Sequence, residues 1–197
     1  FEKGINIKSF ETFYEEITDR IPRTLLNAQF YKHISFSEIS NKKLYQFFSR
    51  LSDILFSLIG FTLFVCLFPF VVIGNLLGNR GAMFYTQQRV GKNGTLFNIV
   101  KLRSMVVNAE KDGAVWAQKN DVRITRFGKF LRRTRIDEIP QFYNILKGDM
   151  SLIGPRPERP EFIKDLEHKI PFYAIRNVAK PGLTGWAQVN YPYANTI

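Results

Sequence analysis

Cysteine and histidine are nearly absent from this chain: Cys66 is the sole thiol, and His33 and His168 are the two imidazoles. One thiol cannot build a disulfide framework or a thiolate metal site within the chain. Two histidines so far apart show no metal-ligand spacing, which argues against zinc. Charge is missing from one long stretch. Between Leu51 and Leu77 the single charged residue is Asp53. Carboxylates are in short supply after it: residues 78–197 hold 20 Lys/Arg against 10 Asp/Glu, whereas residues 1–50 hold 8 against 6. The net charge of +11 therefore belongs to the part that follows the apolar run. A basic region beside an apolar segment favours partners that carry phosphate, whether anionic lipid, nucleotide or nucleic acid. No nucleic-acid reader motif accompanies the charge, and charge alone is a weak criterion, so nucleic acid is not expected as a partner. Internal repeats and low-complexity tracts are also lacking.

The apolar run is the first positive feature. Ile54 to Ile73 carries no charge, and about 20 such residues suffice for a helix to cross a hydrocarbon core of roughly 30 Å. The run is apolar all round rather than on one stripe, which distinguishes it from a buried core helix. About 50 residues precede it and no small-residue cleavage pattern follows, so it is not a secretory signal. Two features favour a re-entrant helix–break–helix over a plain span. Pro69 removes a backbone donor inside the run. The flanks are both positive, with Lys42, Lys43 and Arg50 before and Arg80, Arg89 and Lys92 after, whereas a single crossing usually shows asymmetry. A plain span remains the alternative.

On either side the reading is coarser. Residues 1–46 look like a polar, partly helical connector, helix-like from Glu11 to Ile17, broken at Pro22 and mixed from Ser35 to Ile39. Met83 to Val90 and Thr95 to Leu102 read as strands joined by the turn Gly91-Lys92-Asn93-Gly94, a hairpin signal. Asn93-Gly94-Thr95 matches a glycosylation triplet but is expected to be a turn. Asp121 is placed to cap a helix over Val122–Thr134. Its cations at Arg123, Arg126, Lys129, Arg132 and Arg133 would form one basic face with no carboxylate to neutralise it. That face is either solvated surface or turned to headgroups and substrate.

The densest string is Arg132-Arg133-Thr134-Arg135-Ile136-Asp137-Glu138-Ile139-Pro140-Gln141. Acidic residues and Pro suit a helix start, which accounts for Asp137, Glu138 and Pro140. It does not account for the arginines upstream, which repel one another unless an anion lies among them. A carboxylate beside a diphosphate can bind Mg²⁺ or attack phosphorus. Gly154-Pro155-Arg156-Pro157 presents an arginine between two stiffening prolines, suited to bidentate phosphate contacts. Lys101-Leu102-Arg103-Ser104-Met105 leaves the hairpin with two more cations.

The Gln88-Arg89 region, Lys101-x-Arg103-Ser104-Met105, Arg132…Asp137-Glu138-x-Pro140-Gln141, the string from Lys147-Gly148-Asp149-Met150 to Gly154-Pro155-Arg156-Pro157, and Pro181-Gly182-Leu183-Thr184-Gly185-Trp186-Ala187-Gln188-Val189-Asn190 follow one another in this order. In that order they resemble the bacterial sugar transferases, the monotopic polyprenyl-phosphate phosphoglycosyl transferases, over roughly residues 47–193. The resemblance implies an α+β, mostly helical, monotopic membrane protein with a re-entrant helix broken at Pro69 and one small β-hairpin. Residues 1–46 would be a linker from an upstream domain, 47–78 the re-entrant segment and 79–197 a cytoplasmic catalytic domain. Members carry a further acidic, aromatic helical segment, so the chain reads as truncated at its C-terminal end. Asp137 would be the nucleophile and the residue on Mg²⁺, with Glu138 its partner. Arg132 and Arg156 would bind phosphate, and Lys101 and Arg103 are secondary candidates for the same role. The implied substrates are a UDP-sugar and undecaprenyl phosphate, and UMP is released. The setting would be the cytoplasmic face of a bacterial inner membrane, with membrane lipid as a further partner, at the first membrane step of capsule, exopolysaccharide or O-antigen synthesis. Assembly into a homo-oligomer and the identity of the sugar are left open.

Overall fold

The structure is a computed structural model that describes residues 10–18, 43–111, 113 and 121–190. The chain divides into two compact units, Phe1–Gln46 and Phe47–Ile197. In the first, helix α1 covers Phe10–Thr18, on the stretch expected to be helix-like. The expectations for Pro22, His33 and Ser35–Ile39 lie outside the described residues.

Helix α2 spans Lys43–Gly78. Its 36 residues extend about 54 Å at 1.5 Å per residue, and it is long and apolar enough to cross a membrane. The expected non-helical break at Pro69 is not there; the helix runs through that residue without interruption. A proline subtracts one N–H, leaving the Val65 carbonyl without its partner, but the remaining turns keep their bonds. In apolar surroundings keeping them is the cheaper solution.

One stripe of α2 is buried: Asp53, Ser57, Gly60, Phe64, Val71 and Asn75, spaced as one face of a helix. Several polar groups on and beside that stripe are met by the rest of the protein, although the buried Ser57 hydroxyl has no hydrogen-bond partner among the described residues. Arg50 donates to the Ile145 and Leu146 carbonyls at 2.6 and 2.7 Å. The Asp53 carboxylate accepts from Ser151 Oγ at 3.0 Å and Leu152 N at 2.8 Å. Asn75 donates to Gly81 O, and Asn79, just past the helix, donates to Arg103 O at 2.6 Å. Gly60 is required by close approach: a Cβ there would stand 2.1 Å from the Phe142 ring. The opposite face keeps Leu55, Ile59, Leu63, Phe70, Ile73 and Leu77 exposed.

The hairpin forms where expected, with β1 at Phe84–Val90 and β2 at Leu96–Leu102, antiparallel in the register Phe84↔Leu102 to Val90↔Leu96. The turn works because Asn93 and Gly94 take positive φ, 54° and 78°. A second sheet was not anticipated. β3 (Ser151–Ile153) and β4 (Gly182–Thr184) pair in parallel, and α5 (Pro160–Lys169) and a 3₁₀ turn (Tyr173–Val178) lie between them in sequence. Three-residue strands carry no alternation to read. The enabling signal is glycine: a Cβ on Gly182 would fall 2.1 Å from Gly154 N.

The helix expected over Val122–Thr134 is shorter. α3 covers Arg126–Thr134, and its cap is Thr125, whose hydroxyl accepts from Gly128 N. Asp121 instead binds Arg123 through the backbone N–H and the guanidinium. The basic face therefore loses Arg123, which is paired at 2.6 Å. α4 (Gln141–Lys147) follows, and α6 covers Trp186–Asn190.

Two apolar clusters hold these elements. Phe64, Val71, Leu102 and Leu131 form one, with Ile136 and Ile139 packed against it; Phe97, Ile99, Ile145 and Met150 form the other. Asn144 ties α4 to β2, accepting from Val100 N at 3.1 Å and donating to Asn98 O at 2.8 Å.

Candidate active site

Helix α3 ends at Arg135, which adopts the left-handed conformation with φ 60° and ψ 13°. For a residue with a Cβ this costs roughly 1–2 kcal/mol. Such strain concentrates where function requires it. Arg135 turns the chain straight into a 3₁₀ turn over Ile136–Glu138. Ile136 and Ile139 pack on the first apolar cluster and hold the turn between them. Asp137 and Glu138 thereby sit on a rigid junction between α3 and α4.

Around that junction the structure gathers cations from three other places. Lys101, at the end of β2, donates to Glu138 Oε1 at 2.8 Å. Arg135 reaches the other oxygen of Glu138 at 3.7 Å. Arg132 donates from Nε to Ser104 Oγ at 2.8 Å, which leaves its terminal nitrogens for something else. Arg156, on the loop after β3, is exposed, and its charge acts on both Glu138 and Lys101.

The two carboxylates are not equivalent. Burial, then the negative charge of Glu138, pushes Asp137 above the usual carboxylate range; Lys101, Arg132 and Arg135 offset this only in part. Burial would raise Glu138 as well, but the Lys101 ammonium, with Arg156 and Arg135, outweighs it and holds Glu138 below its ordinary value. Burial lowers Lys101 despite that partner. Neighbouring titratable groups pushed apart in this way mark a division of roles. Glu138 is the fixed anion, neutralised by its ion pair. Asp137 is the less stabilised, more basic one.

Asp137 Oδ1 is buried and has no hydrogen-bond partner among the described residues, and neither has Gln141 Nε2 one turn on. A buried polar atom left unmade is costly, so each is available to a ligand group. Among the described residues no three His, Cys, Asp or Glu side chains converge as a metal cage. That donor set suits a hard cation such as Mg²⁺, which takes one or two carboxylates and draws its other ligands from water and phosphate. Asp137 is the residue with the oxygen to give.

Of the residues expected from sequence, Asp137, Glu138, Lys101, Arg132 and Arg156 are brought together. Arg103 is not among them. It is buried and spends its guanidinium on Ala82 O, Asn79 Oδ1, Met105 O and Asn79 O, so it clamps the end of α2 to the hairpin instead of facing a phosphate. Arg103 stands two positions after Lys101, just past β2, where alternation would put both on one face, and nothing in the string Lys-Leu-Arg says which cation is structural. Arg135 was missed as a Glu138 partner because a left-handed residue leaves no mark when it is not glycine or asparagine.

The family model for bacterial sugar transferases matches residues 44–197. A UDP-N-acetylgalactosamine-undecaprenyl-phosphate N-acetylgalactosaminephosphotransferase of Aeromonas hydrophila is 48% identical over 151 residues, covering 77% of this chain and 36% of that protein. A Bacillus subtilis (strain 168) protein, provisionally named undecaprenyl-phosphate N-acetylgalactosaminyl 1-phosphate transferase, is 54% identical over 127 residues, 64% of this chain and 71% of its own. A UDP-glucose:undecaprenyl-phosphate glucose-1-phosphate transferase of Xanthomonas campestris pv. campestris is 45% identical over 121 residues, 61% of this chain and 25% of its own. The chain thus spans about a third of the Aeromonas protein and a quarter of the Xanthomonas one. The matched region contains the whole junction of carboxylates and cations described above, and on that match the chain belongs to the bacterial sugar transferase family.

Proposed function

We propose that the chain carries the catalytic unit of a phosphoglycosyl transferase, which moves a sugar 1-phosphate from a UDP-sugar to undecaprenyl phosphate at the cytoplasmic face of a bacterial inner membrane. The observation that carries this reading is the buried, unpartnered oxygen of Asp137 among Lys101, Arg132 and Arg135. Asp137 Oδ1 attacks the sugar-linked phosphorus. The bond from that phosphorus to the bridging oxygen breaks, and UMP leaves with the electron pair. An oxygen of undecaprenyl phosphate then attacks the same phosphorus, which breaks the O–P bond of the aspartyl phosphate and frees the carboxylate. A bound Mg²⁺ would spread the charge of the diphosphate. The chain's own residues do the rest: Arg132 and Arg156 hold phosphate oxygens as planar forks, and Glu138, locked by Lys101, keeps its negative charge and keeps Asp137 basic.

Two features support a lipid acceptor and the placement. An apolar groove of about 440 Å³ lies between α2 and α4, lined by Phe56, Ile59, Leu63, Ile139 and Phe142, next in sequence to Glu138. Both ends of α2's apolar run are also tied to one basic unit, Arg50 to the end of α4 and Asn79 to Arg103. A body this charged does not follow a helix through hydrocarbon, so both ends belong on one side of the membrane, with the uncovered face of α2 against lipid.

The rival is a membrane-tethered anion-binding module without catalysis. Incubation with undecaprenyl phosphate and a panel of UDP-sugars, beginning with UDP-N-acetylgalactosamine and UDP-glucose, separates the two. UMP release that stops in EDTA and returns with Mg²⁺ is expected. No release with any donor would overturn the enzyme reading, and full release in excess EDTA would overturn the metal.

A further inference from the structure

We propose that Arg176 is a positioning residue that acts through Arg156. With Arg89, it fixes the backbone of the Pro155–Glu158 loop so that the Arg156 guanidinium is held toward the Glu138–Lys101 pair. The proposal rests on the phosphate-binding role given to Arg156 above.

Four consecutive carbonyls of this loop are bonded. Pro155 O accepts from Gly182 N at 3.0 Å and Glu158 O from Val90 N at 3.0 Å. The two between them are taken by arginines: Arg156 O by Arg176 Nη2, and Pro157 O by Arg89 Nη1 at 3.1 Å. The chemistry of the loop explains the device. Pro155 and Pro157 have no N–H, so two of the loop's four residues cannot donate to a sheet. All four carbonyls remain as handles. Backbone donors reach the outer two from β1 and β4, and long cationic side chains span to the inner two.

Arg176 is itself aimed. It lies in the 3₁₀ turn one step after Tyr173, where residues i and i+3 eclipse. Its Nη1 bonds the Tyr173 hydroxyl, and its guanidinium lies over the Tyr173 ring at 4.8 Å. Arg89 is held from its other side by Gln87 Oε1 at 2.6 Å. Its guanidinium is pulled down to about 10, first by burial and then by Arg156 and Arg159. Bringing three arginines onto one short loop is unfavourable and is offset in part by Glu158, whose carboxylate lies 3.9 Å from Arg89, yet neither Arg176 nor Arg89 offers a hydrogen bond to the substrate side among those described. What the arrangement achieves is an Arg156 whose backbone has little freedom left to lose when it meets phosphate, which is how preorganisation raises transition-state affinity.

The test is a double-mutant cycle on the full chain in lipid nanodiscs, read as UMP release with a donor the wild type accepts. Arg176→Met is expected to lower kcat/KM by roughly ten- to hundredfold, the scale of a misplacement of about 1 Å. In an Arg156→Ala background the same change is expected to cost less than about twofold, since the group being positioned is gone. Arg176→Lys, which can still donate to the Arg156 carbonyl, is expected to recover part of the loss. Equal costs in both backgrounds would make Arg176 merely structural and overturn the proposal. A second readout needs no turnover. Amide hydrogens of Val90 and Gly182, which donate into the loop, should exchange at least about tenfold faster in Arg176→Met, with Ile145 unchanged. Unaltered exchange at Val90 and Gly182 would overturn the clamp. If the wild type turns over no donor, the enzyme reading fails by itself and exchange still decides the clamp.

Discussion

Asp137 bears a stability cost at neutral pH that burial and the neighbouring Glu138 impose. Burial and Glu138 raise its folded pKa above that of an unfolded aspartate. A raised carboxylate stabilises the fold only while it is protonated, so that contribution is full below the unfolded value, roughly pH 4, and is lost as pH rises through the folded one. At neutral pH the ionised group is a liability, and Asp137→Asn is expected to raise Tm while abolishing UMP release. The gain in Tm should shrink as pH falls toward 4, which thermal melts across that range would measure; a variant less stable than wild type at pH 7 would contradict the assignment. Glu138 has the opposite sign. Its folded pKa is depressed by Lys101, Arg156 and Arg135 acting against burial, so its contribution is present above the unfolded value and is lost as pH falls through the folded one. Glu138→Gln is therefore expected to lower Tm at pH 7, because it leaves Lys101 buried without its charge partner.

At the scale of elements, the site depends on short connections. The left-handed Arg135 joins α3 to the turn that carries Asp137 and Glu138, and Arg103 fastens the exit of β2 to the end of α2. Arg103→Lys is expected to cost about 2–4 kcal/mol, since a lysine cannot serve carbonyls on several sides at once, and to leave KM for the nucleotide-sugar unchanged. A large rise in KM without loss of Tm would return Arg103 to the phosphate site. The same connections mark the limit of what the sequence discloses. The hairpin was legible because alternation and a Gly-Lys-Asn-Gly turn are local signals, and the apolar run because length and composition suffice. Thr125 displaced Asp121 as cap because two capping residues stood four apart and packing of Gly128 and Leu131 decided between them. The β3–β4 sheet was hidden because parallel pairing joins residues some 30 positions apart through strands too short for a pattern. Among the candidate residues, family motifs brought five to the junction but could not separate Lys101 from Arg103, whose difference is one of burial and direction.

For the whole molecule, one basic unit holds both ends of the apolar run of α2. The helix is unbroken at Pro69, so the re-entrant placement proposed above would have to come from this two-ended attachment rather than from a non-helical hinge. With Cys66 replaced by Ala, single cysteines at Lys43 and Arg80 are expected to be shielded from an impermeant reagent added to intact cells, and both to react after lysis. Labelling of either position from outside would establish a crossing. The proposed bond between Asp137 and the sugar phosphate can be detected directly. Incubation of the chain with a turned-over UDP-sugar and Mg²⁺, without acceptor, followed by peptide mass mapping, should find one sugar phosphate on Asp137. The adduct should disappear when undecaprenyl phosphate is added and never form in Asp137→Asn. Sustained UMP release with no adduct on Asp137, or an adduct on another residue, would contradict the account.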